Sequence, residues 1–299
     1  MTLRTLLSAV LAAAALAGCA TPTLRGSGDL GVVIERAAGS LQVVQQQPPA
    51  SLARVSGLGD LSHASLVYSR DARYVYVFAR DGGLSKVDLL TGTLQARVLQ
   101  AGNSIGGAIS SDGRIVAAQN YSPGGVKLFD ADTLALLADI PAQDATGQPS
   151  RVVGLADLPG NRFAFALFDA GEVWLLDAAN PRQPAITRYR GIGRQPYDGL
   201  ASSDGRYYIA GLFGEDGLAL LDTWHPDAGV RRILPGYGQG EARLPVYKMP
   251  HLRGWSLAGD YAFFPAIGQS QVLVADSRSW QPVAKVPVYG QPVFVMAEP

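Results

Sequence analysis

The stretch Gly59–Gly92, GDLSHASLVYSRDARYVYVFARDGGLSKVDLLTG, decides the fold. It contains three short apolar alternations, SHASLVYS, YVYVFAR and LSKVDLL. Turn signals follow them at Asp71, at Asp81-Gly82-Gly83 and at Thr91-Gly92. Apolar runs of period two that are separated by Asp-Gly and Thr-Gly turns are typical of antiparallel strands in consecutive hairpins. The stretch therefore predicts three neighbouring strands, and the same phrase recurs along the chain.

Two markers define the repeat. The first closes the third strand of each unit, and its members are Gln45, Asp88, Asp130, Asp177, Asp222 and Asp276. The second lies one hairpin earlier, and its members are Asp71, Asp112, Asn161, Asp204 and Asp260. A period of about 40 to 50 residues with four short strands predicts an all-β fold, a β-propeller of four-stranded blades. A β-sandwich with accidental internal similarity is the alternative.

The phase of the repeat indicates which strands are present. Residues 30–58 supply the outer three strands of a blade without its innermost strand. The last ten residues, GQPVFVMAEP, align with the innermost strand that begins near Arg194, and the sequence stops where the next hairpin is expected. We therefore expect five full blades, one outer part and one lone inner strand, about six blades in all. The propeller, residues 29–299, is expected to be incomplete at its C-terminus, with sheet edges left unpaired.

The N-terminus has the pattern of a targeting segment. Arg4 supplies a positive charge, and Leu6–Leu16 is an apolar run too short to span a bilayer. The phrase Leu16-Ala17-Gly18-Cys19 resembles the lipobox of bacterial lipoproteins, in which the signal is cut before an acylated cysteine. We expect a signal peptide at residues 1–18, lipidation of Cys19 and a tether at residues 19–28, so that a lipid is the protein's only attachment to the membrane. An ordinary signal peptide with a chance cysteine is the alternative.

The composition narrows the classes of function. The chain has 299 residues, 47% of them hydrophobic, and its 25 basic residues equal its 25 acidic residues. A neutral chain lacks the basic excess of a general nucleic-acid surface, so we expect no nucleic-acid partner. Cys19 is the only cysteine, which excludes a disulfide within the chain and a CxxCH haem attachment.

The segments that lead into the innermost strands are expected to converge at one mouth of the central channel, where propellers commonly bind ligands. They carry His63, Asn103, Arg151, Arg194, Tyr197, Lys248 and His251. Imidazole is a common ligand of transition metals and haem iron, and arginine and lysine suit carboxylates. The set predicts an anionic ligand that can carry a metal.

Structural roles remain open for the same residues. A strand-end histidine can simply bond to the backbone, the cations can be solvated loop charges, and Tyr197 can plug the channel. The third histidine, His225, is expected on a surface turn after a third strand. No catalytic triad, zinc spacing or phosphate loop is present, and the glycines at Gly102–Gly107 do not open a helix as a dinucleotide fingerprint requires.

Seven phrases carry a resemblance to a known family. They are LGVVIERAAGSLQVV, GLGDLSHASLVYSRD, FARDGGLSKVDLLTG, GNSIGGAIS, GIGRQPYDGL, GLFGEDGLALLD and LPVYKMPHL. On these phrases the chain resembles the NirF family, periplasmic proteins of haem d1 biosynthesis in denitrifying bacteria. That family is similar in turn to the eight-bladed d1 propeller domain of cytochrome nitrite reductase. The resemblance implies eight blades in the full-length family and a periplasmic, lipid-anchored protein.

The resemblance also implies roles for the mouth residues. His63 stands in the phrase of the reductase's proximal iron-ligating histidine, and His251 aligns approximately with one distal histidine. Tyr197 replaces the other distal histidine, and Leu66 stands where the reductase has an arginine. These departures argue against nitrite reduction and leave tetrapyrrole binding. The implied cofactor is haem d1 or its iron-tetrapyrrole precursor.

The leading hypothesis is a protein that binds a haem d1 precursor and takes part in a late step of its synthesis, such as dehydrogenation or side-chain modification. His63 would ligate the iron, Tyr197 and His251 would move protons, and the remaining mouth residues would bind the macrocycle. These are Asn103, Arg151, Arg194 and Lys248. The expected protein partners are nitrite reductase and other haem d1 assembly proteins. The alternatives are a non-catalytic carrier or assembly scaffold, and a protein-interaction propeller with an empty mouth.

Overall fold

A computed structural model describes residues 26–237 and 254–297 of the chain. This part contains strands β1 to β23, arranged in six antiparallel sheets that form successive blades. Its helices are three single-turn 3-10 segments, Ser27–Asp29, Pro226–Ala228 and Ile267–Gln269. None of the helices in these two ranges is long and apolar enough to cross a membrane.

The blades follow one another in chain order. Blade 1 contains β1 (Leu30–Glu35), β2 (Ser40–Gln45) and β3 (Ala50–Val55). Blade 2 contains β4 (Ser65–Tyr68), β5 (Tyr74–Phe78), β6 (Gly83–Asp88) and β7 (Thr93–Leu99). Blade 3 contains β8 (Asn103–Ile109), β9 (Ile115–Ser122), β10 (Gly125–Asp130) and β11 (Leu136–Ile140). Blade 4 contains β12 (Val152–Leu158), β13 (Arg162–Leu167), β14 (Glu172–Asp177) and β15 (Ala185–Tyr189). Blade 5 contains β16 (Pro196–Ala201), β17 (Tyr207–Leu212), β18 (Leu218–Asp222) and β19 (Val230–Ile233). Blade 6 contains β20 (Ser256–Ala258), β21 (Tyr261–Ala266), β22 (Gln271–Asp276) and β23 (Pro282–Pro287).

The repeat predicted from the sequence is confirmed. All six residues of the first marker are the last residues of third strands, with Gln45 ending β2 and Asp88 ending β6 as examples. Five sheets have four strands, and the first sheet has three, as the phase of the repeat predicted. The fold is therefore an all-β propeller in which hairpins connect the strands of each blade.

The marker aspartates recur because their side chains form the turn that follows each third strand. Asp88 Oδ1 accepts a hydrogen bond from the Leu90 amide at 2.9 Å, and Asp130 Oδ1 accepts one from the Thr133 amide at 2.8 Å. Aspartate favours such turns because its short carboxylate reaches backbone amides two or three residues ahead. The same chemistry at the second marker closes the preceding hairpin turn, where Asp204 Oδ1 accepts from the Arg206 amide at 3.0 Å.

The hydrophobic core lies between the blades. Leu41 and Val43 of blade 1 share one buried cluster with Val75 and Val77 of blade 2. Four further clusters join blades 2 and 3, 3 and 4, 4 and 5, and 5 and 6 in the same way. Because the sheets of blades 2 to 5 bury both faces against neighbouring sheets, their middle strands are apolar almost throughout, and these blades are held at fixed positions around the channel.

The innermost strands contact one another across blade boundaries. Ser65 Oγ of β4 donates to the Ile105 carbonyl of β8 at 3.1 Å. In β12, Gly154 has φ of +62°, and a Cβ atom there would lie 2.6 Å from the Gly199 amide nitrogen of β16. Only glycine allows the two backbones to approach this closely.

The segment after blade 6 was predicted to be a lone inner strand. Residues 291–297 are not assigned to a strand, but the Val295 amide donates to the Gly254 carbonyl at 3.0 Å, and the Ala297 amide donates to Ser256 Oγ at 3.0 Å. The segment therefore runs beside the start of β20, where a neighbouring innermost strand would lie. Among the described residues no strand forms a ladder with this segment.

Candidate ligand site at the channel mouth

The mouth is the end of the channel where the innermost strands begin and the second strands end. Asn103 and Tyr197 lie in the first two positions of β8 and β16, and Arg151 directly precedes β12. His63 lies in the turn that leads into β4, and Arg194 precedes β16 by two residues. The five predicted site residues that the structure describes are thus all at this end. Lys248, His251 and the lipidation residue Cys19 lie outside the described residues.

Aromatic side chains from three consecutive blades meet at this mouth. Tyr121, Phe168 and Phe213 each stand nine residues before the aspartate that closes the third strand of blades 3, 4 and 5. Tyr121 therefore lies near the end of β9, and Phe168 and Phe213 directly follow the second strands of blades 4 and 5. Phe168 belongs to one buried cluster, and Tyr121 and Phe213 pack against it. We call these three residues, together with Tyr197, the aromatic cluster.

Tyr197 lies at the centre of the aromatic cluster. Its ring is 6.0 Å from Phe168, nearly perpendicular to it, and 5.8 Å from Phe213. The Phe168 and Phe213 rings are 6.2 Å apart. These separations are within the range at which aromatic pairs attract each other. The Tyr121 hydroxyl donates a hydrogen bond to the Tyr197 hydroxyl at 3.4 Å.

Arg151 is bound to the edge of the aromatic cluster. Its guanidinium group lies 4.1 Å from the centre of the Phe168 ring, and its Nε donates to Asp169 Oδ2 at 3.0 Å. The hydrogen bond from Arg151 lowers the pKa of Asp169, and the same bond raises the pKa of Arg151. The site therefore holds a cation, but a carboxylate of the protein already neutralises it.

Arg194 lies further out than Arg151. Its Nε donates to Glu215 Oε2 at 3.3 Å, and its side chain is 75% exposed. Glu215 also binds Arg232, and the hydrogen bond from Arg232 is the main reason that the pKa of Glu215 is lowered. Arg194 can therefore leave Glu215 and bind a solvent-exposed anion at little cost in stability, because exposed ion pairs contribute little.

His63 and Asn103 lie where a ligand can reach partly buried polar atoms. The His63 side chain is partly buried, with its Nδ1 atom inside the protein. The Asn103 Oδ1 atom is also buried, and it has no hydrogen-bond partner within residues 26–237 and 254–297. A buried acceptor of this kind costs stability unless a donor reaches it, so it fits a site that a ligand completes.

The structure brings the predicted site residues Arg151 and Tyr197 together through Phe168. His225, which the sequence placed outside the site, lies on an exposed turn at the opposite end of blade 5, 3.2 Å from Asp222. The surface position predicted for His225 is confirmed. Sequence reasoning missed Tyr121, Phe168 and Phe213, because it considered only the segments that lead into innermost strands. Their shared distance from the closing aspartates was the available signal.

Comparison with known proteins gives the class of this propeller. The sequence profile of the family described as Cytochrome D1 heme domain matches residues 25–299. The chain is therefore a cytochrome d1 haem-domain propeller.

Within that class the chain belongs to the NirF family. Protein NirF of Stutzerimonas stutzeri is 61% identical over 286 residues, and Protein NirF of Pseudomonas aeruginosa is 63% identical over 287 residues. Each alignment covers 95% of this chain and 73% of the relative. A more distant relative, the dihydro-heme d1 dehydrogenase of Pseudomonas aeruginosa, is 32% identical over 78% of this chain and 46% of its own length. The sequence prediction of the family is confirmed.

Solved structures support the same class. The dihydro-heme d1 dehydrogenase NirN in complex with DHE superposes with a TM-score of 0.77 at 27% identity. The match covers 94% of this chain and 58% of the NirN chain. Hydrazine synthase of Kuenenia stuttgartiensis superposes with a TM-score of 0.61 at 15% identity, which shows a shared fold alone.

Proposed function

We propose that this chain binds haem d1, or an iron-tetrapyrrole precursor of it, at the channel mouth and takes part in a late step of haem d1 biosynthesis. The aromatic cluster carries this proposal. Aromatic side chains from three adjacent blades suit the apolar ring system of a macrocycle, and Arg151 beside them suits its acidic side chains. Two NirF relatives, and a NirN structure in complex with DHE, support the assignment of the ligand.

Each mouth residue would have a separate role in binding the tetrapyrrole. His63 would hold the iron, since imidazole is a common axial ligand. Asn103 would accept a hydrogen bond, and Arg151, Arg194 and Lys248 would hold carboxylates. Tyr197 and His251 would hold or move a proton at the edge of the ring. The bound group itself supplies a redox-active iron and a conjugated macrocycle, and the proposed reaction is a dehydrogenation or a side-chain modification.

Spectral titration tests the binding. Haem d1 and its immediate biosynthetic precursor are added in turn to the purified chain, and the Soret band is followed. Saturable shifts with at least one of the two ligands are expected. Absence of any shift, in protein whose circular dichroism shows folded β-structure, would contradict the proposal and favour an interaction propeller with an empty mouth.

A single-turnover experiment separates an enzyme from a carrier. The precursor is bound in equal amount to the protein, incubated with an electron acceptor and extracted for mass analysis. Conversion of the macrocycle supports the biosynthetic step. Recovery of unchanged precursor, together with its transfer to nitrite reductase, supports the carrier or assembly scaffold instead.

We also propose that the protein is periplasmic and anchored only by a lipid on Cys19. The phrase Leu16-Ala17-Gly18-Cys19 supports this location. The variant Cys19→Ala is expected to lose its acyl group and to leave the membrane fraction or remain unprocessed, because one thiol carries the whole anchor. Metabolic labelling with a fatty acid and membrane fractionation check the result. Equal labelling and equal membrane yield of the variant would refute the anchor.

A further inference from the structure

The chain enters the propeller at the end opposite the mouth. β1 is the second strand of blade 1, and its first residue, Leu30, pairs with Gln45, which closes the third strand of that blade. Third strands begin at the mouth, where second strands end, so Gln45 and Leu30 both lie at the other end. We call this end, formed by the turns after the first and third strands of the blades, the bottom of the propeller.

The segment that precedes β1 is fixed to the bottom by hydrogen bonds to two blades. Ser27 Oγ donates to the Asp71 carbonyl, in a bottom turn of blade 2, at 2.8 Å. In blade 1 the Gln46 amide donates to the Asp29 carbonyl at 3.0 Å, and the Gln47 amide donates to Asp29 Oδ1 at 3.0 Å. The chain ahead of Ser27 therefore leaves the propeller at the bottom and not at the mouth.

The part of the tether ahead of this contact is short compared with the height of a blade. Cys19 and Gly26 are seven positions apart, and even a fully extended chain of that length reaches only about 25 Å. A strand of six residues such as β1 is about 20 Å long, and the turns of the mouth lie beyond its end. A lipid on Cys19 could therefore bring the mouth against a bilayer only if the tether lay straight along the whole side of a blade.

We propose that the bottom of the propeller faces the membrane and that the mouth opens into the aqueous phase. The tetrapyrrole then enters and leaves the mouth by exchange with water-soluble partners, and not by partitioning from the bilayer. This inference rests on the proposed function, because it starts from the lipid anchor on Cys19 and from the ligand site at the mouth.

Fluorescence transfer to the membrane tests the orientation. One cysteine is introduced in the lipidated chain at either of two exposed alanines, Ala179 in a bottom turn of blade 4 or Ala145 in the loop that leads into β12 at the mouth. Each introduced thiol is the only one free to react, because Cys19 is the sole native cysteine and carries the lipid. Both proteins are labelled with a donor dye and bound to phosphatidylcholine vesicles that contain an acceptor-labelled lipid. Ala179→Cys is expected to lose more donor fluorescence than Ala145→Cys.

Two controls show that the anchor and the tether cause the difference. Forms that lack residues 1–19 should show no transfer from either position. Insertion of about 20 glycine and serine residues after Ala20 should reduce the difference, because a flexible chain of that length spans the height of a blade. Equal transfer from both positions, or greater transfer from Ala145→Cys, would overturn the orientation. A difference that the insertion leaves unchanged would overturn its derivation from the tether.

Release of haem d1 tests the consequence for exchange. The ligand is loaded onto the vesicle-bound chain and onto the form that lacks residues 1–19, and serum albumin is added as a water-soluble acceptor. Equal rates of loss of the bound spectrum are expected, because the mouth is open to water in both forms. Slower release from the vesicle-bound chain, restored by the tether insertion, would show that the bilayer covers the mouth and would overturn the inference.

The orientation is measured without haem d1, so its failure is distinguishable from that of the proposed ligand. If the chain binds vesicles in the expected orientation but takes up no haem d1, the orientation stands, and the tetrapyrrole site falls together with the exchange inferred from it. If the chain does not bind vesicles, the anchor and the orientation fall together, and the spectral titration still decides the ligand site.

Discussion

Among the described mouth residues, only His63 carries an imidazole. It lies in the turn before β4 with its Nδ1 atom buried, so its ring is held by the protein. We predict that His63→Ala abolishes or strongly weakens the spectrum of bound haem d1 and leaves the fold intact. His225→Ala is the control, because His225 lies on an exposed turn at the opposite end of blade 5. Identical Soret spectra and dissociation constants for the two variants would exclude His63 as the axial ligand.

Asp169 competes with any acidic ligand for Arg151. We predict that Asp169→Asn binds an acidic tetrapyrrole more tightly than the unmodified chain, because the variant releases the positive charge of Arg151 beside Phe168. Asp157→Asn is the matched control, since it weakens the half-exposed Arg70–Asp157 pair at the opposite end of the channel. Titration of both variants with haem d1 checks the difference, and equal affinities would show that Arg151 does not contact the ligand.

The same pair gives a pH dependence of stability. Arg151 lowers the pKa of Asp169 below its ordinary value of 3.8, so the folded state holds the Asp169 proton less tightly than the unfolded state. The resulting stabilisation is present above that ordinary value and is lost as the pH falls through the lowered pKa. Because both side chains are about half exposed, we expect it to stay below about 1 kcal/mol. Urea unfolding of the unmodified chain and Asp169→Asn at pH 7 and at pH 2 to 3 measures it, and a larger difference at the acidic pH would reverse the predicted sign.

At the scale of strands, the packing of β8 against its neighbours requires a glycine at position 107. A Cβ atom on Gly107 would lie 2.2 Å from the Ala117 carbonyl oxygen and 2.3 Å from the Phe78 ring, whereas one on Gly102 would meet nothing closer than 3.7 Å. We predict that Gly107→Ala lowers the free energy of unfolding by about 1 to 3 kcal/mol through overpacking. Gly102→Ala should change it by less than about 0.5 kcal/mol. Denaturant unfolding of both variants compares them directly, and equal stabilities would disprove the close packing of β8.

Strands were also the level at which the sequence was most informative. Asp88 and Asp130 mark the ends of β6 and β10 because their own side chains make the turn, and a local interaction leaves a local signal. The aromatic cluster left no such signal, since Tyr121 and Tyr197 meet across an intervening blade. The pairing of Arg151 with Asp169 could not be predicted from the sequence either, because it depends on how the start of β12 lies beside the end of β13. Contacts within one turn were thus predictable, and contacts between side chains of different strands and blades were not.

At the scale of the whole molecule, one arginine links three blades at the end of the channel opposite the mouth. Arg70, after β4, donates to the Ile109 carbonyl at 2.7 Å, to the Ser110 carbonyl at 3.0 Å and to Asp157 Oδ2 at 2.7 Å. We predict that Arg70→Met lowers the free energy of unfolding by about 1 to 2 kcal/mol, because two carbonyls lose a charged donor at a half-exposed position.

The control for Arg70→Met is Arg278→Met, whose exposed pair with Asp260 lies within blade 6 alone. Thermal unfolding should distinguish the two variants, while their affinities for haem d1 should match that of the unmodified chain, because both positions are remote from the mouth. A loss of stability in Arg278→Met as large as that in Arg70→Met would mean that bridging several blades adds nothing.

The two ends of the propeller differ in how much their side chains vary from blade to blade. The turns opposite the mouth repeat one serine–aspartate design, seen at Ser69 and Asp71 and again at Ser202 and Asp204. At the mouth, the position nine residues before the closing aspartate varies from Ala79 in blade 2 to Phe168 in blade 4 and Ile267 in blade 6. Each blade therefore combines a repeated turn with one variable position at the mouth, which a protein engineer could use. We expect that exchanging side chains between blades at this one position would move the aromatic cluster around the rim, while the turns that set the architecture are left untouched.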